Sequence, residues 1–380
     1  MIIIVAPYSP VGLSSHPHLG AARKIEMVIE SLAEIDPDIV LVNSAHNSLN
    51  SPLSVEFIQV GKIKVNHIIA PCYSNQKFGK LFNLFDIKKI ISKCFALGEP
   101  NLLWIYNGYA FENLFSKLLI NKIKVPVVLE FEDWHFSRSR GLNPKPYIDN
   151  FLYNSNLKNI SFSFGVNDNL VKKTESNGIP SLVLPGIVPE RLIQLCDQRA
   201  CFDGDIVRVG YFGGLSVEKG VDKIIEVINK LPNGFKLVLS GAGKLESSLV
   251  ELASAHEDKI EFHGRVSEDT LYNLIASVDV ILNPHSPISD MSGGVFPFKV
   301  IEGIASGRLL ISTELPSAKV NGLLDGVLFY DGTSAELLDK IINSNVFYSK
   351  NIKRVHTSKE IARDQFSKAS LLKPILNLIK

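Results

Sequence analysis

An alternation runs through almost the whole chain: short β-branched and aliphatic runs, each followed by a longer stretch of helical spacing. Parallel strands need a crossover connection, usually a helix, so this pattern specifies parallel sheets covered by helices. In the first half it predicts strands over Ile2–Ala6, Ile39–Asn43, Leu102–Tyr106, Val127–Phe131, Ile160–Gly165 and Leu182–Leu184. In the second half it predicts them over Val207–Phe212, Phe235–Ser240, Ile260–Phe262, Val278–Asn283, Leu309–Ser312 and Val327–Tyr330. Between the first two of these, Val221, Ile224, Ile225, Ile228 and Leu231 fall on one helical face, as a sheet-covering helix requires.

A chain of 380 residues exceeds one ordinary core, and Pro185-Gly186 and Pro189 punctuate it just before the strand at Val207. The expected organisation is two facing α/β Rossmann-like domains with a cleft between them. Their expected bounds are 1–187 and 207–355, with a hinge over 188–206 and a C-terminal helix over 356–380 packing back on the first domain. Lys and Arg total 40 against 39 for Asp and Glu, so no global field favours nucleic acid. The opening Met1-Ile-Ile-Ile-Val-Ala-Pro-Tyr8 lacks a basic leader and reads as a strand, and no apolar run approaches about 20 residues. Cys72, Cys94, Cys196 and Cys201 show no metal-ligand spacing and read as reduced thiols, which gives a cytoplasmic expectation.

Three glycine-bearing segments in the second half carry the chemistry. Val209-Gly-Tyr-Phe-Gly-Gly-Leu-Ser-Val-Glu-Lys-Gly220 ends a strand in Gly213 and Gly214 and opens a helix, a turn that favours an anion, with Lys219 adding a charge. Alone, it equally describes a tight turn with a solvated lysine. Ser240-Gly241-Ala-Gly243-Lys244 is a second such turn, without the third glycine of a dinucleotide fingerprint and without Walker spacing. Gly293-Gly294-Val295-Phe296-Pro-Phe298-Lys-Val-Ile-Glu302 then offers backbone amides ahead of a helix, with Glu302 one turn in and able to accept hydrogen bonds from a sugar diol.

Together with Gly178–Gly186 and Phe262-His-Gly-Arg265-Val266, and in this order, these segments resemble the second domain of the retaining GT-B glycosyltransferases of the group 1, family 4 type. The resemblance implies a metal-independent transferase that moves a sugar from a nucleoside diphosphate donor to a glycan or lipid-linked acceptor in bacterial surface-polysaccharide synthesis. It implies no cofactor and no metal. Lys219 matches the lysine that neutralises the donor diphosphate, Glu302 the acid that holds the ribose, and Gly293–Phe298 the amide loop. Two positions depart from the family pattern: Gly214 stands where an arginine is frequent, and Gly294 where the first acid of a glutamate pair is usual. One phosphate cation must therefore be missing or come from elsewhere. A nucleotide-sugar epimerase and a non-catalytic nucleotide-sugar-binding subunit remain alternatives.

In the first half, Gly20, in Ser14-Ser-His16-Pro-His18-Leu-Gly20, is expected in a loop facing the donor phosphates. Asp133 and His135, in Glu130-Phe-Glu-Asp-Trp-His135 at a strand end, are the catalytic candidates beside Lys219. Asp203-Gly-Asp205 reads as a turn rather than a metal site. Finally, Lys77–Lys93 mixes lysines with large apolar residues, and helical spacing sets Leu81, Leu84, Phe85 and Lys88 along one stripe. The segment is either a core-facing helix or a peripheral contact with the inner face of a membrane.

Overall fold

The computed structural model describes residues 1–9, 19–44, 51–73, 79–138, 144–285, 296–315 and 320–380, and every statement below is made of these. The chain divides into two compact units, the first built from Met1–Leu184 with Ala369–Lys380 and the second from Pro185–Ile288 with Phe296–Lys368.

In the first unit, strands β1 (Ile2–Ala6), β2 (Ile39–Asn43), β3 (Ser54–Val60), β4 (Ile63–Ile69), β5 (Leu102–Tyr106), β6 (Val127–Phe131), β7 (Phe162–Gly165) and β8 (Ser181–Val183) form a sheet in the order β3-β4-β2-β1-β5-β6-β7-β8. All pairs are parallel except β3 with β4. Every residue of β1, β2, β5 and β6 is buried, which is why these strands read as continuous apolar runs. Helices α1 (Leu19–Leu32), α2 (Ile87–Leu97), α3 (Ala110–Ile120), α4 (Lys145–Asn156) and α5 (Asp168–Glu175) accompany the sheet. The β3–β4 hairpin escapes the strand pattern drawn from the sequence, because β3 is mostly exposed and carries no buried run. Its signal is Gly61 in the two-residue connection, at φ +53°.

The second unit contains α6 (Glu190–Cys196), β9 (Val207–Phe212), α7 (Val221–Ile228), β10 (Phe235–Ser240), α8 (Glu246–Ala255), β11 (Ile260–Phe262), α9 (Glu268–Ser277), β12 (Val280–Asn283), α10 (Phe298–Ala305), β13 (Leu309–Ser312), β14 (Leu328–Phe329), α11 (Ser334–Ile342) and α12 (Ser344–Gln365). A last helix, α13 (Lys368–Ile379), falls almost wholly within the first unit. The sheet of the second unit is parallel throughout, in the order β11-β10-β9-β12-β13-β14. Helix α7 buries Val221, Ile224, Val227 and Ile228 against it, with Ile225 at the margin. Each such side chain contributes roughly 1.5–3 kcal/mol relative to exposure.

The segment before β9 is tied into this unit by hydrogen bonds. The buried Arg308 guanidinium donates to the carbonyls of Cys196, Arg199 and Ala276, and Asp279 accepts from the Phe202 and Arg208 amides. Asp203 and Asp205 are exposed in the turn ahead of β9. All four cysteines are free thiols, and burial pushes Cys94 up to about 12.

Candidate active site

The strand order of the second unit reverses between β9 and β12: β10 and β11 extend one way from β9, and β13 and β14 the other way from β12. At such a switch point the carboxyl ends of two neighbouring strands diverge and leave a crevice. The chain leaves β9 through Gly213 and Gly214, makes a 3-10 turn over Val217–Lys219, and passes through Gly220, at φ +73°, into α7. A Cβ at Gly220 would lie 1.9 Å from the carbonyl oxygen of Pro284, just past β12. Glycine is therefore what lets the turn after β9 close onto the segment after β12. That closure brings Lys219 Nζ to 2.9 Å from His285 Nε2. An ammonium can only donate, so in this pairing Nε2 is the acceptor. The hydroxyl of Thr313, just past β13, in turn donates to the His285 carbonyl at 2.6 Å.

The two glycine turns support one another. Gly213 N–H donates to Ser240 O at 3.0 Å and Leu215 N–H to Ala242 O at 3.0 Å, and Gly241 N–H donates to Gly264 O at 2.8 Å. A Cβ at Gly241 would meet Gly213 O at 1.8 Å, and one at Gly243 would meet Leu215 O at 2.4 Å. Gly213, Ser240, Gly241 and Gly243 thus answer to the close approach of two backbones, and the amides of Gly213 and Gly241 are engaged in it. Gly214 differs: it is exposed, its φ lies outside the left-handed region, and a Cβ there makes only an ordinary 3.8 Å contact with Lys219 Cγ. Its carbonyl accepts from the buried Tyr211 hydroxyl at 2.7 Å.

A second cation stands at the same place. Lys299 Nζ lies 4.3 Å from the centroid of the Tyr211 ring and 3.8 Å from where a Gly213 Cβ would be. Burial first, and the Lys219 ammonium second, push Lys299 down to about 7. Neither Lys299, next to Phe298 in the third glycine-bearing segment, nor His285 is marked by a motif in the sequence. On α10, Glu302 is 2% exposed among the buried Val300, Ile301 and Ile304, so it is enclosed and not a surface glutamate. Phe296 is buried, and the Phe298 ring packs on Gly186, where a Cβ would meet it at 2.5 Å. Beyond β11, Arg265 is exposed and Val266 half-buried. Gly293, Gly294 and Val295 lie outside the described residues, as do His16 and His18.

In the first unit, Gly20 is not in a loop. It occupies the first turn of α1, exposed, with nothing within 4 Å of a Cβ. Asp133 and His135 stand beyond the carboxyl end of β6, next to a turn after β5 in which Asn107 and Gly108 both have positive φ. Asn107 Oδ1 accepts the amides of Glu132 at 2.9 Å and Asp133 at 2.8 Å, which explains a non-glycine residue held in that conformation. His135 is buried, in ring contact with Tyr109, with Nε2 3.7 Å from Asp149 Oδ2 on α4. Lys145 Nζ donates to the same Asp149 oxygen at 2.6 Å.

Two carboxyls nearby, the buried Glu112 and the half-buried Glu132, have no role assigned from the sequence. Glu112, which accepts from the Ser44 hydroxyl, is pushed up to about 7 by burial. Glu132, paired with the buried Lys24, is also pushed up to about 7 by burial, against the pull of the ammonium. Burial alone would lower Lys24, but Glu132 and Glu130 outweigh it and raise it. No group of three His, Cys, Asp or Glu among the described residues has the geometry to hold a metal ion.

Residues 206–344, nearly all of the second sheet and its helices, match the family model described as Glycosyl transferases group 1. The glycogen synthase of Hydrogenovibrio crunogenus is 25% identical over 193 residues, which is 48% of this chain and 39% of that relative's own length. Solved structures extend the likeness to the whole chain. The sucrose-phosphate synthase of Thermosynechococcus elongatus covers 99% of it and is itself covered over 97%, with a TM-score of 0.67 at 12% identity. HepE of Anabaena, determined in complex with UDP and glucose, covers 99% and is covered over 98%, with a TM-score of 0.64 at 16% identity. At these identities the superpositions establish the fold alone. The protein has two parallel-sheet Rossmann-like units in the GT-B fold. The match to the group 1 model falls within the second of these units.

Proposed function

We propose that the chain is a retaining, metal-independent glycosyltransferase that moves a sugar from a nucleoside diphosphate to an acceptor hydroxyl of a glycan or a lipid-linked glycan. The reading rests on one observation: Lys219 and Lys299 converge at the switch point of the second sheet, one held by His285 and the other over the Tyr211 ring. The Lys219 charge disfavours the Lys299 ammonium until an anion joins them. A diphosphate answers that need. It also accounts for Gly214, where the family's arginine is missing, because Lys299 brings a second cation to the same spot from α10. Glu302 and the α10 N-terminus then face the ribose and the phosphates.

In the reaction, the bond from the anomeric carbon to the β-phosphate oxygen breaks and the oxygen keeps the electron pair. The two lysines stabilise that developing charge, which is where a transferase gains most. The acceptor oxygen bonds to the same face of the sugar, and its proton passes to the departing phosphate. Asp133 and His135 orient the acceptor in this reading. Synthesis of a surface polysaccharide is the setting that the family resemblance supplies.

Isothermal calorimetry of the full chain with UDP, ADP and GDP tests the core of this. A bound diphosphate favours the Lys299 ammonium, so affinity should be greatest below about pH 7 and fall as pH rises through that value. The free protein loses the proton there, and the ligand's phosphates are already ionised, their second pKa being about 6. Lys299→Arg should bind at pH 7 and lose the fall. Binding of none of the three diphosphates, or a wild-type affinity flat from pH 6.5 to 8.5 on a scale of about tenfold, would overturn the assignment.

A further inference from the structure

Of the Lys77–Lys93 segment, residues 79–93 are described, and they form two parts. Helix α2 sends Ile87, Ile90, Ile91 and Cys94 into the core, so there the core-facing alternative holds. The preceding 3-10 segment, Gly79–Asp86, does not follow it. Leu81 and Leu84 are half-buried, whereas Phe82 is 51% and Phe85 82% exposed. Helix α4 adds Tyr147 and Phe151, four residues apart on one face and 63% and 71% exposed. Between these elements runs an open groove of about 540 Å³, lined by Phe82, Phe85, Leu114, Ile148, Phe151 and Leu152. Phenylalanines this exposed, grouped around an apolar groove, mark a contact surface.

Charge narrows the choice of partner. On the 3-10 segment, α2 and α4, both acids are buried, Asp86 at 6% and Asp149 at 1%. Among the described side chains, the exposed charges on these elements are Lys88, Lys89 and Lys93. Lys88 and Lys89 follow Phe85 by one helical turn, and Lys93 follows Lys89 by another. The nearest exposed carboxylate along the chain, Glu99, comes after α2 has ended. Lys89 also donates to Asp86 at 3.2 Å. Aromatic side chains whose exposed charged neighbours on the same elements are lysines complement an acyl layer beneath anionic headgroups.

We infer that the face made by Phe82, Phe85, Tyr147 and Phe151, with Lys88, Lys89 and Lys93 beside it, docks the first unit on an anionic lipid surface. Helix α4 is shared between this face and the candidate acceptor site: Asp149, beside His135, is buried on the same helix that exposes Phe151. Docking therefore holds the residues of that site next to the lipid.

Flotation of the full chain with phosphatidylcholine vesicles, alone or with about one third phosphatidylglycerol, tests this. Binding should require phosphatidylglycerol and weaken with salt. With about fivefold affinity per lysine, K88E/K89E/K93E should weaken it by at least about a hundredfold. Phe85→Ser with Phe151→Ser should abolish it at every salt concentration. Both variants should keep the wild-type UDP affinity, and Phe85→Ser/Phe151→Ser the melting temperature as well; K88E/K89E/K93E should melt slightly lower, because K89E sets a carboxylate beside Asp86. The inference is overturned if the wild type does not float, or if both variants float like wild type. It is also overturned if the wild type sediments as a dimer that Phe85→Ser/Phe151→Ser dissociates while no vesicle is bound, because the groove would then be covered by a second copy. UDP calorimetry on the same preparation reads the donor site separately, so loss of one result leaves the other standing.

Discussion

Lys219→Ala is expected to lower turnover by about tenfold to a hundredfold with little change in melting temperature, the scale for removing one cation from a developing charge. The side chain is partly exposed, and its contact with Glu218, at 3.3 Å, is an exposed pair that contributes little to folding. Its partner His285 is buried and anchored through its carbonyl by Thr313, so the position of the charge is set by the framework and not by the lysine. A second consequence separates this account from simple loss of a surface lysine. The Lys219 ammonium helps hold Lys299 down, so in the variant Lys299 should titrate higher and the pH dependence of diphosphate affinity should move upward. Steady-state kinetics and calorimetry across pH read both effects. Near-normal turnover in a folded variant would remove Lys219 from the reaction.

The largest effect on stability is expected at Gly220. Gly220→Val puts a β-branched residue at φ +73° and drives its Cβ to 1.9 Å from a backbone oxygen that belongs to the Pro284 peptide. A positive φ costs a β-branched residue on the order of 1–3 kcal/mol, and overlap with backbone adds to it because no side chain can swing away. A total of about 3 kcal/mol or more follows, enough to consume a large part of a typical domain's stability. Gly178→Ala is the matched control: its φ is +77°, but nothing lies within 4 Å of the added carbon. That variant should lose only about 1–2 kcal/mol. Urea unfolding of both proteins measures the difference, and equal losses would mean that the approach of the Lys219 turn to Pro284 does not hold this region together.

What the sequence discloses follows from where each signal resides. Buried parallel strands are legible because both faces are apolar, and β1, β2, β5, β6 and β9 begin and end where the pattern puts them. The β3–β4 hairpin is not, because an exposed edge strand such as Ser54–Val60 keeps polar residues on most positions. Lys219 and Glu302 sit in local motifs and can be found by spacing. His285 and Lys299 cannot: one lies 66 residues from the lysine it meets, and the other, on α10, meets a tyrosine ring on β9. The same holds in the first unit, where His135 is legible at a strand end but Asp149 and Glu112 reach the region from helices with no local signature.

The central claim is transfer, and it is tested most directly by product formation. The full chain, given the nucleoside diphosphate sugar whose base binds best in calorimetry, should release nucleoside diphosphate at a rate that depends on added acceptor. One glycosylated acceptor should form for each diphosphate released, with the donor's anomeric configuration kept. Lys219→Ala should slow release and glycosylation together. If the donor is bound and no acceptor from a broad glycan and lipid-linked panel is ever modified, the chain is a binding subunit. If the donor alone is converted to its epimer, the chemistry at the β9–β12 switch point is of another kind, and the transferase account fails.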